Sequence, residues 1–329
     1  MSRVIERLDA LYALGDKIGY SAQEDEAHRI ARAWMEEAGL AVEVDDAGNL
    51  LGGSGTGDDV WTGSHLDSVP GGGKFDGMLG VVAGLEAVQR AERGSVVVFR
   101  DEERGCAGSR ARVASGLLPR RYVELHIEQG PVLLGADAPL AVVTAITGIA
   151  RGELVTHGRA GHAGTVPMAG RADALVDAAE LVLRIRDTAR AIDGAVATVG
   201  RIEVEPGALN VIPDRVAVSI DARAPDAARF ARLIDALGLE PTYRVEPVAM
   251  AEPVQAALRG AIEARGLPVV ELASGAGHDA GILAAGGVES GMLFVRSQNG
   301  GVSHHADELT TDEDVDLAVD VLADALARI

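Results

Sequence analysis

Hydrophobic and polar positions recur along this chain with two periods, and the switch between them marks out its elements. Helical spacing predicts helices over Arg3–Asp16 and Ala22–Glu37, the second with Ser21 as N-cap and Gly39 as its stop. Strand-like runs follow at Ala41–Val44, at Leu50–Leu51 and, through Val60-Trp61-Thr62, up to His65. Met78–Ala91 is an apolar-rich helical pattern. Ser95–Arg100 and Arg121–Ile127 carry apolar cores, as strands buried on both faces do. Strands alternating with helices predict an α/β unit with a mainly parallel sheet.

The pattern changes after Thr144. Ile149–Thr156, Ala195–Val204, Val216–Ala222 and Thr242–Val248 read as strands, and Ala169–Arg190 and Ala227–Leu237 as amphipathic helices. This order predicts a small α+β sandwich with helices on one face of an antiparallel sheet. From about Pro253 the earlier style returns, with helix Val254–Arg265, strands Val269–Leu272 and Gly291–Val295, and a closing helix Asp312–Arg328. The expected organisation is a discontinuous α/β domain over 1–146 and 249–329, interrupted by a smaller inserted domain over 147–248.

At 329 residues and 47% hydrophobic content the chain can build two cores. A net charge of −20 argues against nucleic acid and anionic membrane surfaces as partners. An anionic substrate would then need local positive charge from metal or arginine. The cations are 28 Arg and two Lys, which reads as genome bias. Cys106 is the only cysteine, so no intrachain disulfide is expected. Acidic residues interrupt Met1–Ile18, unlike a signal peptide, and no apolar run reaches the ~18 residues a membrane span needs. A cytoplasmic protein is the expectation.

Polar chemistry gathers at the ends of the predicted strands. The stretch from Gly63 to Gly77 carries His65 and Asp67 off a strand into a glycine-rich loop and returns Asp76 at the mouth of a helix. Imidazole and carboxylate converging on one loop suit a divalent metal, although alone the stretch reads equally well as a polar βα turn. Glu102-Glu103, His126 and His304 stand at other strand ends, where open α/β sheets place their ligands. Taken singly, Glu102-Glu103 reads as a solvated pair, His126 as a structural histidine and His304-His305 as a surface loop. Together, a carboxylate able to bridge, a second carboxylate and three imidazoles would fill two adjacent divalent sites. The remaining glutamate could then take a proton from polarised water.

These residues lie in motifs that resemble a known family. The motifs are Gly63-Ser64-His65-Leu66-Asp67-Ser68, Gly72-Gly73-Lys74-Phe75-Asp76-Gly77, Asp101-Glu102-Glu103 and Glu124-Leu125-His126-Ile127-Glu128-Gln129-Gly130-Pro131. Gly161-His162-Ala163-Gly164, Asn210-Val211-Ile212-Pro213, Asp221-Ala222-Arg223, Gly275-Ala276-Gly277-His278-Asp279-Ala280 and Ser303-His304 follow in the same order. The chain thereby resembles the amidohydrolases that include N-carbamoyl-L-amino-acid hydrolases, β-ureidopropionases and allantoate amidohydrolases, relatives of dinuclear zinc aminoacylases and carboxypeptidases.

The resemblance implies two divalent ions per chain, Zn2+ or Mn2+, with Co2+ or Ni2+ also suited. It implies that Asp76 bridges them, with His65 and His126 in one site, Glu103 and His304 in the other, and Glu102 as general base. Asp67 would hydrogen-bond His65 and fix its tautomer. Gln129, Asn210 and Arg223 would contact substrate. His162 would stabilise the tetrahedral oxyanion in the neighbouring active site of a homodimer. From the residues alone, His162 reads equally as a polar turn residue, Asn210 as a turn former, and Arg223 as a partner of Asp221 or Asp226.

The chain departs from that family in three places. It is shorter than the ~400 residues usual there, with 22 residues between Glu103 and His126. Glu103-Arg104-Gly105-Cys106 is closer to the peptidase relatives, and Arg296 stands where a proline is common. The expected activity is hydrolysis of a linear C–N bond in an N-carbamoyl amino acid, releasing ammonia and carbon dioxide. The rivals are allantoate hydrolysis, an aminoacylase or dipeptidase on the same scaffold, and a non-catalytic ligand-binding dimer.

Overall fold

The computed structural model of the chain describes residues 2–53 and 60–329. Contacts divide the chain into two compact units, Met1–Thr144 with Ala249–Ile329, and Ala145–Val248. The chain begins with α1 (Arg3–Tyr12), α2 (Ala22–Glu37), β1 (Ala41–Val44), β2 (Leu50–Gly53), β3 (Val60–His65), α3 (Met78–Ala91) and β4 (Ser95–Phe99). It continues through α4 (Ala107–Ser115), β5 (Arg121–Ile127), α5 (Val132–Gly135) and β6 (Leu140–Ile146). The smaller unit holds β7 (Gly148–His157), β8 (Gly161–His162), α6 (Ala174–Arg190), β9 (Val196–Thr198), β10 (Ile202–Glu205) and β11 (Val211–Ile212). It closes with β12 (Arg215–Ala224), α7 (Ala227–Leu237) and β13 (Tyr243–Val245). After β14 (Val248–Ala249) come α8 (Glu252–Glu263), β15 (Glu271–Ser274), α9 (Asp279–Ala285), β16 (Glu289–Val295) and α10 (Asp312–Arg328).

The larger unit is built on a sheet of order β1-β2-β4-β3-β5-β16-β6-β14, with β15 also beside β6. Its middle strands β4, β3, β5 and β16 are parallel, while β1, β2 and β6 join antiparallel. The parallel strands are buried almost throughout, which explains their unbroken apolar runs. Because they are parallel, their C-terminal ends meet at one edge. His65 pairs with Phe99, and His126 with Phe294. The β3–β5 pairing ends at Thr62↔Val123, and beyond it the His65 and His126 rings lie 6.1 Å apart. The mixed α/β fold class with a mainly parallel sheet and separate antiparallel sheets is the one expected from the sequence.

The smaller unit has a sheet of order β10-β12-β7-β13, with β9 beside β12, all antiparallel. Helices α6 and α7 pack on one another and on this sheet over a core that includes Ile185, Val218, Ile220 and Phe230. A separate two-stranded ribbon pairs β8 with β11.

Local chemistry moved several boundaries. Helix α1 stops at Tyr12 rather than Asp16 because Gly15 takes φ +75° and turns the chain. Helix α6 starts at Ala174, not Ala169, where the Asp173 carboxylate accepts the Leu175 N–H. The single strand expected over Ala195–Val204 is two. Thr198↔Asp221 and Ile202↔Val218 differ in register by one residue, so a bulge around Gly200 separates β9 from β10. The spacing of apolar positions does not mark α4, α5, α9, β6, β8 or β11. No helix among the described residues is long and apolar enough to cross a membrane.

Candidate metal centre

The parallel-strand ends and the loops leaving them bring four of the predicted residues, His65, Glu103, His126 and His304, together around a fifth, Asp76. Its Oδ1 lies 3.1 Å from His126 Nε2 and 3.6 Å from His65 Nε2. Its Oδ2 lies 3.3 Å from His304 Nε2, which is 3.6 Å from Glu103 Oε2. One carboxylate thus divides its two oxygens between two groups, His65-Asp76-His126 and Asp76-Glu103-His304, each of which could hold a metal ion. Nitrogen and oxygen donors of this kind suit Zn2+, Mn2+, Co2+ or Ni2+.

The imidazoles are oriented from behind. His65 Nδ1 faces the Asp67 carbonyl at 3.1 Å and its carboxylate at 3.2 Å, and His126 Nδ1 faces the Ile127 carbonyl at 3.0 Å. A carbonyl oxygen only accepts, so each ring carries its proton on Nδ1 and presents the Nε2 lone pair to the centre. Glu103 Oε1 is buried without a hydrogen-bond partner, so the pocket holds an orphaned carboxylate oxygen that a cation would satisfy.

Gly77 allows His65 this position. It has φ +65°, and a Cβ there would lie 2.4 Å from His65 Cε1. Asp101, Gln129 and His304 are non-glycine residues with φ between +52° and +57°. Such strain gathers where surrounding structure over-determines a functional geometry.

Electrostatics separate the carboxylates. Burial opposes ionisation of Asp76, but the imidazoles of His126, His304 and His65 beside it outweigh that and hold this carboxyl well below its usual range. Burial drives Glu102 the other way, well above the usual range; His65 opposes the rise, while Asp279, Glu103 and Asp76 add to it. Glu102 Oε2 lies 3.8 Å from His65 Nε2, and its Oε1 accepts a hydrogen bond from the Cys106 thiol at 3.4 Å. The Asp67 carboxylate also accepts the Glu102 and Glu103 amides at 3.0 and 3.1 Å, so one residue sets both His65 and the Glu102-Glu103 turn.

Gln129 belongs to this cluster. Its amide donates to Asp76 Oδ2 at 2.9 Å and to Ser303 Oγ at 3.0 Å. In the smaller unit, the β8–β11 ribbon brings His162 and Asn210 together: both are exposed, and the Asn210 carbonyl accepts the Ala163 N–H at 2.9 Å. Gly164 donates to His162 Nδ1 at 3.0 Å, so the ring proton sits on Nε2 and makes it a donor. Arg223 is bound to Asp221 through two hydrogen bonds of 2.7 and 3.1 Å, the pairing that its sequence neighbours allowed.

Sequence reasoning passed over Glu24. It is fully buried, its Oε1 accepts the Asp101 amide at 3.0 Å, and Arg100 pairs with it at 2.7 Å, so it fixes the turn that begins Asp101-Glu102-Glu103. The signal was its place on the stripe of Ala27, His28, Ala31 and Met35, the buried positions of α2. Glu308, also overlooked, holds the Asp76 loop.

The model of peptidase family M20/M25/M40 matches residues 61–328. An N-carbamoyl-L-amino acid amidohydrolase of Geobacillus stearothermophilus is 37% identical, the match covering 93% of this chain and 91% of the relative. A probable allantoate deiminase of Oryza sativa is 31% identical over 94% of this chain and 84% of its own length. A solved hydantoinase/carbamoylase family amidase from Burkholderia multivorans superposes with a TM-score of 0.91 at 29% identity, covering 99% of this chain and 96% of that one.

Proposed function

The chain belongs to peptidase family M20/M25/M40 and is a hydrolase, and on that premise we propose that it cleaves the linear C–N bond of an N-carbamoyl amino acid. The observation that carries this reading is the split of the Asp76 oxygens between two donor groups, with the buried Glu102 carboxyl beside them. Two divalent ions, Zn2+ or Mn2+, would supply the polarisation of water and of the scissile carbonyl.

The chain's residues do the rest. Asp76, His65 and His126 form one set of ligands, and Asp76, Glu103 and His304 the other. Asp67 keeps the His65 tautomer, and the Gln129 amide steadies Asp76 Oδ2 while offering its carbonyl to substrate. Glu102 takes the proton of the attacking water and returns it to the departing nitrogen. Breakdown of the tetrahedral species breaks one C–N bond and leaves a carbamate, whose remaining C–N bond breaks as it loses carbon dioxide, so that the products are ammonia, carbon dioxide and the amino acid.

His162 is assigned as the oxyanion donor because its Nε2 carries the proton, and Asn210 and Arg223 as substrate contacts. We place His162 in the neighbouring active site of a homodimer. Exposed apolar side chains on α6 (Leu175, Val176, Leu183) and on the β9–β10 edge (Val196, Ile202) support dimerisation through the smaller unit.

The test is a panel of N-carbamoyl, N-acetyl and dipeptide forms of one amino acid, with allantoate alongside, assayed in each metal. We expect kcat/KM for the carbamoyl form to exceed the acetyl form by roughly 100-fold. Preference for the acetyl form or the dipeptide would overturn the assignment, and preference for allantoate would move it to the reading that the deiminase relative favours.

A further inference from the structure

We propose that Glu308 is a positioning residue that locks the bridging carboxylate and the His304 loop together, so that the ion held by Asp76, Glu103 and His304 depends on it. The inference rests on the two-ion reading of the centre. Glu308 is 5% exposed and lies 232 residues along the chain from Asp76. Its Oε1 accepts the Phe75 and Asp76 amides at 2.8 and 3.0 Å, and its Oε2 accepts the Ser303 hydroxyl at 3.0 Å. Ser303 Oγ in turn accepts from Gln129 Nε2, whose other bond goes to Asp76 Oδ2.

The bonds form a closed ring. It runs from Glu308 to the Asp76 backbone, from the Asp76 carboxylate to Gln129, from Gln129 to Ser303, and back to Glu308. The Glu308 carboxylate ties the Asp76 loop to Ser303 directly and the Gln129 loop through Ser303, and the residue after Ser303 is His304. The loop around Asp76 is shaped to receive it: a Cβ on Gly73 would stand 2.3 Å from Glu308 Cβ.

The two donor groups depend on this ring unequally. His65 and His126 sit at the ends of β3 and β5 and are oriented by the Asp67 and Ile127 carbonyls. His304 is half exposed, stands on a loop at φ +57°, and has no strand beneath it. Ser303, bonded to both Glu308 and Gln129, anchors the start of that loop, and residues that orient ligands in this way alter metal affinity by roughly 10- to 100-fold.

The experiment titrates metal-free protein with Mn2+ by calorimetry, comparing the unsubstituted chain with Glu308→Ala, Glu308→Gln and Ser303→Ala. Glutamine keeps an oxygen for both amides and offers an N–H to Ser303 Oγ, so it should bind both ions within about threefold of the unsubstituted chain. Alanine should weaken one of the two ions by roughly 10- to 100-fold and leave the other within about threefold. Ser303→Ala, which leaves the grip on Phe75 and Asp76 intact, should weaken the same ion by about tenfold and carries the test if Glu308→Ala does not fold. Wild-type affinities in the alanine variants, equal loss of both ions, or a glutamine variant as defective as alanine would overturn the proposal. An unsubstituted chain that takes up fewer than two ions would overturn the two-ion reading itself.

Discussion

Replacing Gly77 by alanine tests the geometry of the centre through a single methyl group. Two costs add. The backbone at φ +65° is disfavoured for any residue with a Cβ, by roughly 1–3 kcal/mol. The new Cβ would also stand 2.4–2.5 Å from Cε1, Nδ1 and Nε2 of His65, whose ring is 1% exposed and held by Asp67. Forcing a methyl into such a site costs about 1–3 kcal/mol more. The expected loss is therefore about 4 kcal/mol, together with a His65 ring pushed off Asp76. Gly71 supplies the control: it has φ +67°, but nothing lies within 4 Å of its Cβ position. Gly71→Ala should thus show only the backbone part, roughly 1–3 kcal/mol, with metal affinity unchanged. Urea unfolding of the metal-free proteins by tryptophan fluorescence reads the larger unit alone, because Trp34 and Trp61 both lie in it. A Gly77→Ala variant no less stable than Gly71→Ala, with unaltered Mn2+ affinity, would refute the reasoning.

Glu102→Gln should lower kcat by roughly 100- to 10,000-fold while metal content by elemental analysis stays the same, since glutamine cannot take the water's proton; retention of a tenth of the activity would end the general-base role. His28 carries a pH signature of stability. Burial, with help from Arg100, pushes it down to about 3 from an ordinary 6.5, so it is neutral in the folded chain at pH 7. Above pH 6.5 neither state binds the proton. Below 6.5 the unfolded chain binds one that the folded chain refuses, so stability falls by about 1.4 kcal/mol per pH unit until the folded value is reached. Between pH 6.5 and 4.5 the unsubstituted chain should therefore lose roughly 2–3 kcal/mol more than His28→Asn, measured by urea unfolding; parallel pH profiles would contradict this.

Elements whose signal is local were legible along the chain. The apolar runs of β3, β4 and β5 are unbroken because both faces of a parallel strand are buried, so their identity and even their ends were readable. His65, Asp101-Glu102-Glu103 and His126 stand at those ends, and a parallel sheet delivers all such ends to one edge; their meeting followed from topology. Strand period and helix spacing also change near Thr144 and Pro253.

Tertiary structure alone decided what depends on contacts between distant segments. The bulge between β9 and β10 exists only against β12. Glu24 looks like an ordinary acid in the first turn of a helix until α2 is packed and its carboxylate meets the Asp101 amide. Glu308 carries no periodic signal, because its partners are the backbone of Phe75 and Asp76 and the hydroxyl of Ser303. Arg223 bonds Asp221, two residues earlier on the same strand, a pairing that only the folded chain displays. A ligand set announces itself by residue type and strand position; the network that holds it in place uses common residues and amides, and those acquire meaning only when the chain has closed around them.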